Sequence, residues 1–92
     1  MDNFQHFSII YKQYKVVFII SERRVICRGI VGQKDYFDHI KIANEPLTKE
    51  SLKNGCEILA YQVADKLTDL SERKVDEKEL REFLRSYIAT QF

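Results

Sequence analysis

The side chains best suited to covalent or metal chemistry in this 92-residue chain are Cys27, Cys56, His6 and His39. A structural zinc site draws four such ligands from closely spaced pairs, and no two of these residues are near neighbours in sequence. A nucleophilic thiol needs an electropositive, partly open setting. The periodicities read below instead place Cys27 and Cys56 inside the core and both histidines on the opposite side of a sheet. In "DYFDHIK", Asp35 to Lys41, two acids and a lysine stand together as they do in metal-dependent nucleases, but the spacing fits no such motif. A solvated turn and edge strand is the better reading. Gly29 and Gly32 are isolated, so there is no glycine-rich phosphate cradle. The chain therefore reads as not an enzyme, with no catalytic residue, no metal and no cofactor.

The elements that carry these residues follow from hydrophobic period. Four segments alternate or run apolar: Phe4–Tyr11, Tyr14–Ser21, Arg24–Val31 and Tyr36–Ile42. The breaks between them are Lys12-Gln13, Glu22-Arg23 and the turn Gly32-Gln33-Lys34-Asp35. Breaks this short join antiparallel strands, because parallel pairs need long crossovers. After Pro46 the period lengthens. Thr48 is the expected N-cap of a helix whose stripe is Leu52, Cys56, Leu59, Val63, Leu67 and Leu70. Gly55 lies inside it, where it would allow close packing on the sheet. Asp76 with Glu79 forms a capping-box pattern before a second stripe of Leu80, Phe83, Leu84, Tyr87 and Ile88. The fold class expected is α+β: a four-stranded antiparallel β-meander followed by two α-helices packed on one sheet face, ββββαα. Residues 1–92 form a single domain, with the meander at 1–43, helix 1 at 48–70 and helix 2 at 76–90.

Strict alternation through two-residue turns divides the sheet residues between two faces. The first face holds Phe7, Ile9, Tyr11, Tyr14, Val16, Phe18, Ile20, Val25, Cys27 and Val31, joined by Tyr36, Ile40 and Ile42. The helices should cover this face, burying Phe18, Cys27, Leu59, Val63 and Phe83 together. The second face holds His6, Ser8, Ile10, Lys15, Val17, Ile19, Arg24, Ile26, Arg28 and Ile30, joined by Phe37, His39 and Lys41. It has an apolar middle and a basic fringe. An exposed apolar patch of a few hundred Å² marks a contact surface. Two plainer readings stand beside that one: β-branched residues suit any strand, and one helix could swing over the second face.

Composition narrows the function. The chain is 45% hydrophobic and 32% charged with a net charge of +1, a globular balance too neutral for a dedicated duplex-DNA binder. No stretch approaches the ~20 apolar residues of a membrane span. The N-terminus has no signal-peptide pattern, and two cysteines make no disulfide framework, so a cytoplasmic protein is expected. The charges of "SERKVDEKELREFLR" alternate in sign, as on a solvated helix face. The expected function is that of a non-enzymatic macromolecular-interaction protein, of the small accessory or inhibitor type common among phages and mobile elements. Its open sheet face would bind a protein partner or a second copy, giving a homodimer. The interaction face expected is Ile10, Lys15, Val17, Ile19, Arg24, Ile26, Arg28, Ile30, Phe37, His39 and Lys41.

The alternative is a single-stranded nucleic-acid binder using the basic fringe of that face. A four-stranded meander followed by a helix resembles, in element order, the Whirly and PUR proteins and a class of transcriptional coactivators. That likeness implies an open sheet bearing cations and aromatics. Lys15, Arg24, Arg28, Lys41, His6 and His39 supply the basic groups, and Phe37 is the one aromatic counted for stacking, where stacking platforms offer several.

Overall fold

The computed structural model describes residues 5–32, 35–72 and 74–92. Phe4, Gln33, Lys34 and Arg73, which fall within the strand, turn and interhelix readings above, lie outside the described residues. The elements run β1 (Gln5–Tyr11), β2 (Tyr14–Ile20), β3 (Arg24–Val31), β4 (Asp35–Ile42), α1 (Lys49–Leu70) and α2 (Glu77–Gln91). The strands form one antiparallel sheet in the order β1-β2-β3-β4, and both helices pack against it. This is the ββββαα arrangement of an α+β fold.

The first two hairpins close as the alternation requires. Tyr11 pairs with Tyr14, and Ile20 with Val25. The Ser21 amide donates to the Arg24 carbonyl at 2.9 Å, completing the second turn. Lys12 takes a left-handed φ of 55° in the first turn, the conformation for which Asn and Gly are the usual choices.

The third hairpin departs from expectation. Val31 pairs with Asp35, so three residues separate the paired ends, where a pairing of Val31 with Tyr36 would leave four. One residue of difference exchanges the faces of the whole following strand. Phe37, His39 and Lys41 therefore lie on the helix-covered side, and Tyr36, Ile40 and Ile42 lie on the other. The packing reason is Gly29. It sits directly opposite Phe37, and a Cβ on Gly29 would come 2.4 Å from the Phe37 ring. The glycine leaves a gap on the covered face that the ring fills, while Lys66 of α1 lies 4.7 Å above the same ring.

Helix α1 starts at Thr48, whose hydroxyl accepts from the Ser51 amide while the Ser51 hydroxyl accepts from the Thr48 amide. Helix α2 starts at Asp76, whose carboxylate accepts from the amides of Lys78 and Glu79. Only the backbone of Glu79 takes part, so its side chain does not return a bond as a capping box would. The core is one cluster drawn from the covered sheet face and both helices, including Val16, Phe18, Val25, Cys27, Cys56, Leu59, Val63, Leu67, Leu80, Leu84 and Ile88. Phe83 is not among the buried residues; it is 42% exposed. Leu80, Leu84 and Ile88 form the inward line of α2, and Phe83 and Tyr87 lie on its flank against Tyr11 and Phe7 of the edge strand β1. Leu70, at the last turn of α1, is likewise exposed.

Candidate interaction face

The Cα atoms span 40 × 26 × 18 Å. The shortest extent accommodates a sheet and one layer of helices, since packed layers stand about 10 Å apart. Both helices lie on one side, so neither swings over the other. The open face can be laid out row by row from the strand register. One row across the sheet is His6, Ile19, Ile26 and Ile40; the next is Ser8, Val17, Arg28 and Asp38; the third is Ile10, Lys15, Ile30 and Tyr36. Arg24 and Ile42 face each other beyond the first row.

Three isoleucines thus run side by side over β2, β3 and β4. Val17, Ile19, Ile26 and Ile30 are half-buried by their neighbours in the sheet. The periphery is more open: Ile10 is 69% exposed, Tyr36 62%, Ile40 54% and Ile42 74%. Of the eleven face residues expected from sequence, the register places Ile10, Lys15, Val17, Ile19, Arg24, Ile26, Arg28 and Ile30 together. Phe37, His39 and Lys41 are corrected to the covered side, and Tyr36, Asp38, Ile40 and Ile42 replace them. The signal that could have revealed this was Gly29, a mid-strand glycine needing a large ring opposite, with Asp38 then falling opposite Arg28.

That last pair alters the electrostatics. The Arg28 guanidinium donates from Nε to Asp38 Oδ1 at 2.7 Å and from Nη2 to Oδ2 at 3.0 Å, a bidentate arrangement. The hydrogen bond to Arg28 holds the Asp38 carboxyl below its ordinary value, and Asp38 in turn raises Arg28. The guanidinium also lies 4.5 Å from the centre of the Tyr36 ring. Lys15 and Arg24 are exposed and form no ion pair among the described residues.

The remaining chemistry-bearing groups lie elsewhere. Cys27 and Cys56 are fully buried on facing elements. Burial pushes the Cys56 thiol up to about 12 and the Cys27 thiol higher still, so neither is a ready thiolate. Among the described residues no three His, Cys, Asp or Glu side chains converge as a metal site. Arg81 of α2 bonds Glu77 at 2.8 Å and Asp65 of α1 at 3.4 Å, tying the two helices together at the surface. Among the described residues no helix is long and apolar enough to cross a membrane. Comparison with known protein families, curated proteins and solved structures finds no match.

Proposed function

We propose that this is a non-enzymatic interaction protein that holds a protein surface, a partner's or that of a second copy, against its open sheet face. The observation that carries the reading is the parity of β4. It adds Tyr36, Ile40 and Ile42 to Val17, Ile19, Ile26 and Ile30 on the side opposite both helices. Contiguous apolar exposure of this kind is costly in water and marks contact surfaces. A small accessory or inhibitor-type protein of the cytoplasm, working as a homodimer or against one partner, fits this surface.

The same exchange weakens the nucleic-acid reading. Lys41, His39 and Phe37 leave the face, Arg28 is neutralised by Asp38, and among the described face residues only the rings of Tyr36 and His6 are left. The test is the double substitution Ile19→Lys with Ile26→Glu, checked for folding by circular dichroism. A fall in mass by light scattering, through loss of whatever association runs through this face, or loss of binding to an identified protein partner, is the expected result. A folded variant that keeps both overturns the reading. Salt-sensitive binding of a single-stranded oligonucleotide that depends on Lys15 and Arg24 would favour the alternative.

A further inference from the structure

A second unpartnered surface is the outer edge of β4. This strand ends the sheet, and its eight residues pair with β3 without bulge or proline. The Ala43 amide donates to the Arg23 carbonyl at 2.7 Å, so at this end the odd-numbered residues turn their backbone toward β3. Antiparallel ladders alternate. The amides and carbonyls of Tyr36, Asp38, Ile40 and Ile42 therefore point outward, with no strand beyond them among the described residues.

Edges of this kind are ordinarily blunted by charge, and β4 carries Asp35, Asp38 and Lys41. Those charges match in one self-pairing. If two β4 strands run antiparallel about a two-fold axis at Asp38, Asp35 stands opposite Lys41 of the second copy, twice. Tyr36 stands opposite Ile40, and Phe37 opposite His39. Asp38 meets its own counterpart, and each carboxylate is already held by Arg28. Moving the axis to His39 sets Lys41 against Phe37 and loses both charge pairs. Moving it to Phe37 sets Asp35 against His39 and carries Lys41 past Asp35, so both Asp35–Lys41 pairs are again lost. Charges that block promiscuous pairing thus admit a single register.

We propose that a second copy of this chain adds antiparallel along β4, centred on Asp38, joining two four-stranded sheets into one of eight strands. The axis stands perpendicular to the sheet, so the helices of both copies lie on one side and their open faces form one continuous platform on the other. Helix α1 flanks this edge: Gly55 lies against Lys41 and Lys66 over Phe37. Ile58, one turn from Gly55, is 47% exposed. The inference goes beyond the face reading and uses a different surface.

Sedimentation equilibrium from about 10 µM to about 1 mM tests it, on the wild type and in the Ile19→Lys/Ile26→Glu background, where only the edge can associate. A monomer–dimer equilibrium is expected in both. Asp35→Lys alone, or Lys41→Asp alone, should weaken it by about tenfold, and the two together should restore it. Amide exchange at Tyr36, Asp38 and Ile40 should slow as concentration rises. A chain that stays monomeric, single variants that associate like the wild type, or a folded double variant that fails to recover overturns the proposal. If Ile19→Lys/Ile26→Glu dissolves the dimer while Asp35→Lys spares it, the copies meet on the open face; the edge proposal then falls and the face reading stands.

Discussion

Gly29 and Phe37 decide more than their own packing. The ring occupies the space a side chain at Gly29 would need, with a Cβ 2.4 Å from its tip, so Gly29→Ala must displace the ring or the strand. Overpacking of this kind costs about 1–3 kcal/mol. The cost should shrink in a Phe37→Ala background, where the obstruction is gone, and a double-mutant cycle in urea would measure that coupling. On the other side of the sheet, Asp38 has its carboxyl lowered by Arg28. A lowered folded-state value stabilises above the unfolded value of about 3.9, and that contribution is lost as the pH falls through the lower folded value. Asp38→Asn should therefore have a lower thermal midpoint than the wild type at neutral pH, and the two should converge as the pH falls below the lowered folded-state value. Parallel midpoint curves down to acid would show that the pair contributes nothing to folding.

The α1 helix illustrates a residue that composition alone misjudges. Gly55 is buried and looks like a close-packing device, yet a Cβ there would meet Lys41 at 3.5 Å and Val25 at 4.0 Å, ordinary contact distances. Glycine inside a helix costs about 1 kcal/mol relative to alanine. Gly55→Ala should thus stabilise the protein by up to about 1 kcal/mol, read as a higher urea midpoint with an unchanged slope. In α2 the five-residue apolar stripe is wider than the core it meets. Leu80, Leu84 and Ile88 are fully buried, while Phe83 and Tyr87 overhang β1, beyond which the sheet has no further strand among the described residues. Their rings lie 5.2 Å from Tyr11 and 6.2 Å from Phe7, so they cap the edge of the core without entering it.

At the scale of the molecule, the two-layer architecture puts both helices on one side of the sheet and leaves the other apolar and uncovered among the described residues. The most open side chains there, Ile10 and Ile42, contribute little to folding, because most of their surface stays in water in the native state as it does in the unfolded chain. Ile10→Thr with Ile42→Thr, at 69% and 74% exposure, should change stability by no more than about 0.5 kcal/mol per site. The same pair should reduce binding of an apolar fluorescent dye and lower self-association. A large fall in thermal midpoint would instead mean that these residues are buried in the folded protein.

Much of this architecture was legible in the chain itself. Period-two alternation through Gln5–Val31, broken by two-residue turns, determined two hairpins and their faces, because a one-residue slip would bury Lys15 and Arg28 and expose Phe18. The shift to a period of three and four after Pro46 determined the helices, with Thr48 and Asp76 as their starts. The side on which β4 presents its residues was not determined in that way. A four-residue break and a three-residue one read alike along the sequence, and both give β4 an amphipathic appearance, since Tyr36, Ile40 and Ile42 alternate with Phe37, His39 and Lys41. Only the tertiary structure decided between them, through contacts across strands and layers: Phe37 over Gly29 and beneath Lys66, and Asp38 in the fork of Arg28. The makeup of the open face followed from that choice, because a side chain's exposure depends on what lies across from it and above it, and neither is its neighbour in sequence.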